Sequence, residues 1–275
     1  MTVTPTRSNV VQVKRLLSAL STGDDATVLG IVDPSIELVP LIVSAGLVPD
    51  AYRGLDGIRA YLEDADAVEV ERGFVATRVR GALDTVVAFG ELAAGRATVP
   101  ALWIWRLRDG RPMHGMLVSD EGALCAARGA DVDDERPRDP LRIALPALPE
   151  SAADARQAVS MWARNVRLTE QERNDLLLAV SEAVTNVIRH AHPAGPEDAA
   201  FRLSAEVGSE RVQVVVTDDG VGLGAGSPNP GLGMGLPLLG TLTDTLMLVG
   251  PPERSRGVEV RMGFALASLT AQGSP

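Results

Sequence analysis

Apolar residues recur at helical spacing between Asn9 and Leu20 (Val10, Val13, Leu16, Leu17 and Leu20), which predicts a helix that Gly23-Asp24-Asp25 breaks. A second helical run reaches from Leu29 to Val32, and Ile36 to Ile42 reads as a short strand. Beyond a turn-rich stretch, Ile58, Tyr61 and Leu62 mark another short helix. From Val68 to Val118 the pattern shifts to strands: VEVERGFVATRV, TVVAFGELA, TVPALWIWRLR and, after an Asp109-Gly110 hairpin turn, RPMHGMLVSD. Helices followed by a curved antiparallel sheet predict an α+β domain.

Between Arg128 and Pro140 the sequence RGADVDDERPRDP is dominated by charge and carries two prolines, so 129–140 reads as a linker. Downstream, LRIALPA reads as a strand and Ser151 to Val166 as a helix. Thr169 followed by Glu172 forms a capping box that starts the next helix. On that helix Leu176, Leu177, Val180, Ala183, Val184 and Val187 share one face of about 120° at about 100° per residue, which is the core side. Glu182, Asn186 and His190 follow at intervals of four along a polar stripe, with Asp175 and Ala179 on the same side. Strict alternation then predicts a hairpin, with Phe201, Leu203, Ala205 and Val207 on one strand and Val212, Val214 and Val216 on the return. A final strand is expected from Val258 to Phe264.

The length of 275 residues allows two cores, and an aromatic content of 3% against 45% hydrophobic residues makes those cores aliphatic. A net charge of −10 weighs against direct nucleic-acid binding, which needs clustered basic residues to neutralise phosphates. Cys125 is the only cysteine and reads as a small buried hydrophobe; it excludes an internal disulfide and a thiolate metal cluster. No apolar stretch approaches the ~18 to 20 residues that span a bilayer, and MTVTPTRSNV has no signal-peptide core. No membrane association and a cytoplasmic location are therefore expected.

Three segments carry chemistry. A carboxylate and an amide one helical turn apart, Glu182 and Asn186, suit proton transfer and Mg²⁺, a cation that takes hard oxygen ligands. The hairpin ends in Asp218-Asp219-Gly220-Val221-Gly222, where a strand delivers an Asp into a loop that glycines open to a planar ligand. Gly231, Gly233 and Gly235 open an apolar helical pattern through Leu238, Leu239 and Leu242, leaving backbone N–H groups free for an anion. Each segment alone also suits an ordinary helix face, an acidic turn or a flexible linker. The Walker pattern is absent, which excludes a P-loop, and no strand immediately precedes the glycines, which argues against a Rossmann turn.

EAVTNVIRHAH, VVVTDDGVGL and GLGMGLPLLGTLTD, in that order, resemble the N, G1 and G2 boxes of the GHKL ATP-binding superfamily over residues 141–269, with 270–275 as a tail. LLLAVSEAVTNVIRHAH behind ARQAVSMWARN is most similar to the anti-sigma-factor serine kinases. The resemblance implies a Bergerat-type α/β sandwich, a mixed sheet with helices on one face, that binds ATP and Mg²⁺. Glu182 would then be the catalytic residue, as base or polarising group for the attacking hydroxyl, and Asn186 the Mg²⁺ ligand. Asp218 would read the adenine amine, with Gly220 and Gly222 permitting its approach, and Gly231, Gly233 and Gly235 would hold the phosphates. His190 would either touch the nucleotide or close the helix, and His192 reads as loop. One departure bears on turnover: the lid, GAGSPNPGLGMG, lacks the basic residue that such kinases often carry, leaving Arg189 and Arg254 as substitutes.

Upstream, YRGLDGIRAYLED and WIWRLRDGRPMH resemble the SnoaL-like branch of the NTF2-like superfamily from about Val10 to Arg128, which implies a domain over 1–128 built as a cone of curved sheet around a pocket. Trp103 and Trp105 face one side of that sheet, as core or as pocket lining. The combined expectation is a regulator that phosphorylates a small anti-anti-sigma (STAS-type) partner on serine or threonine and itself holds a sigma factor. Its first domain would bind a small ligand or pair copies as a homodimer. Two alternatives stand beside it: a non-catalytic, ATP-dependent partner-binding protein, and a small-molecule isomerase or cyclase using His114 and Asp120 in the first domain.

Overall fold

A computed structural model describes residues 5–44, 51–68, 73–94, 97–122, 138–192, 199–222, 235–250 and 256–266. Cys125, most of the expected linker, the lid, Gly231, Gly233, Arg254 and the tail lie outside these residues. The chain divides into two compact units, Met1–Arg136 with Ile143–Leu145, and Pro137–Arg142 with Pro146–Pro275.

The first unit opens with α1 (Pro5–Thr22) and α2 (Asp25–Ile31), the latter capped by Asp24, whose Oδ1 accepts from the Thr27 N–H at 3.1 Å. The strand expected from Ile36 to Ile42 is shorter, β1 (Glu37–Val39), and gives way to a helical turn, α3 (Leu41–Ser44). Pro40 has no N–H to continue a ladder, and its carbonyl instead accepts from the Val43 N–H at 3.0 Å. There follow β2 (Tyr52–Arg53), α4 (Gly54–Val68), β3 (Val75–Ala82), β4 (Thr85–Ala94), β5 (Ala97–Arg108) and β6 (Arg111–Ser119). The six strands run in the order β2-β1-β6-β5-β4-β3, antiparallel except for the β1/β6 pair. Asp109 (φ 51°) and Gly110 (φ 74°) form the tight β5–β6 turn, where two successive positive φ values match the twist of the strands.

On the helix-facing side of this sheet, Trp103 and Trp105 stack at 4.9 Å between centroids with 22° between ring planes, and both are buried. Gly115, opposite Trp105, is required there: a Cβ would come within 2.3 Å of the indole. Leu16, Val28, Leu38, Ile58 and Tyr61 are among the residues that, with Trp105, line a small apolar void. His114 pairs across the sheet with Arg106 and Glu37, on the face away from Trp105, and neither it nor Asp120 lines the void. The turn before β1 is clamped to β5 by Asp33, which accepts from the Ser35 hydroxyl at 2.7 Å, the Ser35 N–H at 2.8 Å and Arg108 Nη2 at 3.0 Å.

The second sheet and its helices comprise β7 (Leu141–Pro146), whose residues fall in both units, α5 (Pro149–Ala163), α6 (Glu170–Asn186), a π-turn (Val187–Ala191), β8 (Ala200–Val207), β9 (Arg211–Asp218), α7 (Gly235–Leu242), β10 (Thr245–Val249) and β11 (Glu259–Ala265). The sheet order is β10-β11-β9-β8-β7, with β8/β9, β9/β11 and β11/β10 antiparallel. α6 packs against α5 and α7 and lies on β9 and β11, burying Leu176, Val180, Ala183 and Val184. Leu177, expected in the core, is half-buried, whereas Ala179, expected on the polar stripe, is fully buried: methyl-sized, it tolerates the closer packing at the edge of the face. The β8–β9 alternation holds, with Val212, Val214 and Val216 buried in register against Val207, Ala205 and Leu203. β10 is an edge strand with no sequence expectation behind it, and its Met247, Leu248 and Val249 are exposed. Among the described residues no helix is long and apolar enough to cross a membrane.

Candidate functional site

The site is built outward from α6. The expected capping box is present in both directions: the Glu172 N–H donates to Thr169 Oγ1 at 3.2 Å, and the Thr169 N–H donates to Glu172 Oε2 at 2.7 Å. This fixes the helix start and therefore which residues face outward two to four turns later. Glu182 and Asn186 lie one turn apart on α6, both half-buried, and Asn186 ends the α-helical stretch without spending its side chain on a cap. The chain then widens into the π-turn, a local form common near functional sites. The widening moves His190 off the straight four-residue row expected of it, and its side chain is exposed.

β9 delivers the second component. Asp218 continues the parity of Val212, Val214 and Val216, so its carboxylate stands on the buried, helix-facing side of the sheet at the strand's end, with the residue only 9% exposed. One oxygen, Oδ1, accepts the Gly220 N–H at 2.8 Å, and the Asp218 N–H donates to the Val258 carbonyl at 3.0 Å. Burial pushes the Asp218 carboxyl above its ordinary value, opposed by the Gly220 N–H, the charge of His192 and the Val258 contact. A buried carboxylate at a strand end is a hydrogen-bond acceptor for a donor on a ligand.

Glycine is needed in this loop for measurable reasons. At Gly220 a Cβ would sit 2.1 Å from the Ala191 carbonyl oxygen, and the Val221 N–H donates to that same carbonyl at 2.8 Å. The loop bearing Asp218 is thus docked onto the end of the π-turn that follows Asn186. Gly222 has φ 82°, a conformation that disfavours side chains. α7, which packs on α6, begins at Gly235, the third of the expected phosphate-facing glycines.

The structure therefore brings the Asp218–Gly222 loop to the end of the segment carrying Glu182 and Asn186, and starts α7 at Gly235. Three contributors escaped the sequence reading. Ala191 acts through its carbonyl, which no side-chain pattern reveals. His192, taken as loop, has a 9% exposed side chain, with Nε2 lacking a hydrogen bond and 3.5 Å from Asp219 Oδ1. Gly257 lies against Asp218 from a remote part of the sequence. Among the described residues no three His, Cys, Asp or Glu side chains gather to hold a metal. A divalent ion here would have to rest on an amide oxygen such as that of Asn186 together with oxygens of the ligand.

Residues 145–264 match the family described as the histidine kinase-like ATPase domain. Among curated relatives, the chain is 40% identical over 73 residues to the anti-sigma F factor of Clostridium beijerinckii, covering 26% of this chain and 50% of that protein. It is 36% identical over 84 residues to the serine-protein kinase RsbW of Bacillus subtilis, covering 30% of this chain and 51% of the relative. The chain spans about half the length of the curated relatives it matches. Among solved structures, an NTF2-like protein of unknown function from Burkholderia pseudomallei is similar over 44% of this chain and 96% of its own, at 19% identity and a TM-score of 0.38.

Proposed function

We propose that the ATPase domain binds ATP and that the protein is a cytoplasmic anti-sigma-type regulator transferring the γ-phosphoryl group to a serine or threonine of an anti-anti-sigma partner. The observation that carries this reading is Asp218: a buried carboxylate at the end of β9, held by the Gly220 N–H, of a chemistry that accepts a hydrogen bond from the exocyclic amine of adenine. Guanine offers a carbonyl at that position, which the carboxylate repels.

Asn186 would hold Mg²⁺ against the phosphates, and the ion would supply charge neutralisation of the polyphosphate. Glu182 would accept the proton of the partner's hydroxyl as its oxygen bonds to the γ-phosphorus and the bond to the β–γ bridging oxygen breaks, releasing ADP. The N-terminal amides of the segment Gly231 to Gly235 would face the phosphates. The first unit would serve as a sensory or pairing module.

Purified protein incubated with γ-labelled ATP, Mg²⁺ and a STAS-type candidate partner tests this. Label on the partner's serine or threonine, lost in Glu182→Gln, supports the kinase. ATP binding without transfer supports a second reading, favoured by the lid's lack of a basic residue and by the exposure of Arg189, in which the nucleotide only sets the conformation that grips a partner.

A further inference from the structure

Two backbone approaches bracket Asp218 and Gly220. One is the docking of Gly220 on the Ala191 carbonyl, where an added Cβ would lie at 2.1 Å. The other comes from the segment that leads into β11. Gly257, two residues before β11, has φ 110°, and a Cβ on it would lie 2.1 Å from the Asp218 carbonyl oxygen and 3.0 Å from the Asp219 Cα. Its neighbour Val258 accepts the Asp218 N–H at 3.0 Å, so the 257–258 segment both touches and tethers the residue that precedes the loop. Gly257 is itself buried. No side chain fits there, and no L residue adopts that φ without strain.

We infer that Gly257 is a positioning residue for base selection: by letting the 257–258 backbone close on Asp218, it fixes where the carboxylate stands and so which base edge the site accepts. The inference rests on the reading of Asp218 as the adenine acceptor. Gly257→Ala would push the Asp218 carbonyl away and rotate the carboxylate, while leaving Glu182, Asn186 and the start of α7 in place. A residue that only supports the fold would reduce the competent fraction and lower affinity for every nucleotide alike. A positioning residue changes the preference between bases.

The test is competition binding of ATP and GTP, with Mg²⁺, to the full chain and to Gly257→Ala, with circular dichroism to establish folding. The expected result is a loss of ATP affinity of about tenfold or more, with GTP affinity changed little, so that the ATP-over-GTP ratio collapses. A folded variant that keeps the wild-type ratio overturns the inference. Should Gly257→Ala fail to fold, amide exchange on the wild-type chain decides: ATP should slow exchange at residues 256–258 together with 218–220. Slowing at 218–220 alone rejects the role of Gly257. If the wild-type chain shows no preference for ATP over GTP, the reading of Asp218 falls and this inference falls with it.

Discussion

The Gly220 N–H donates to the Asp218 carboxylate at 2.8 Å inside a buried setting, so the loop that opens the site is folded around the group that would read the ligand. Holding an ionised carboxylate there has a cost, because burial raises its pKa above that of the unfolded chain.

Asp218→Asn should therefore separate stability from binding. For a carboxyl raised in the folded state, the ionised form is disfavoured by folding, and the cost is present at pH values above the folded pKa and disappears as pH falls below the unfolded one. The variant, which keeps an oxygen for Gly220, should be at least as stable as wild type at neutral pH and lose that advantage in acid. Its ATP affinity should drop by about tenfold or more, as for loss of a charge-assisted hydrogen bond. Urea unfolding across pH, together with equilibrium binding, measures both.

Two glycine substitutions should move stability in opposite directions. Gly220→Ala forces a methyl into the Ala191 carbonyl, so a loss of about 1–3 kcal/mol is expected, as for overpacking. Gly240→Ala, on α7 with nothing within 4 Å of the new Cβ, should gain about 0.5–1 kcal/mol through helix propensity. Denaturant midpoints at constant slope report the signs.

Thr169→Ala removes the hydroxyl acceptor of the capping box and should cost about 1 kcal/mol in urea unfolding. The loss should concentrate in α6, visible as faster amide exchange in its first turn.

In the first unit, Asp33 is held down to about 2, first by the Ser35 hydroxyl, then by the Ser35 N–H and by Arg108. A depressed carboxyl stabilises the fold at pH above its unfolded value and loses that contribution as pH falls through the folded one. Asp33→Asn should accordingly be less stable than wild type from about pH 4 upward, with the difference closing towards about pH 2. Parallel thermal melts of the two proteins across that range would show it.

Much of this was legible because it is local. The capping box lies within four residues, and the β8–β9 register follows from alternation and a short turn. What escaped depends on contacts distant in sequence or on backbone geometry. Gly257 meets Asp218 across 39 positions, and its role shows only as φ 110° and a missing Cβ. The π-turn after Asn186 has no residue signature, and it took His190 off the expected stripe. Leu83, at φ 54°, turns β3 into β4 although leucine is no turn residue, and the edge strand β10 has apolar side chains on both faces, so neither period marks it. Pro40 was visible and should have ended β1 at Val39.

The most direct measurement of the central claim is calorimetric titration of ATP with Mg²⁺ into the full-length wild-type chain and into Asp218→Asn. Saturable heat at a single site in wild type, strongly weakened in the variant, is the predicted result. A folded wild-type chain that releases no heat at millimolar ATP, or a variant that binds as wild type does, would contradict it.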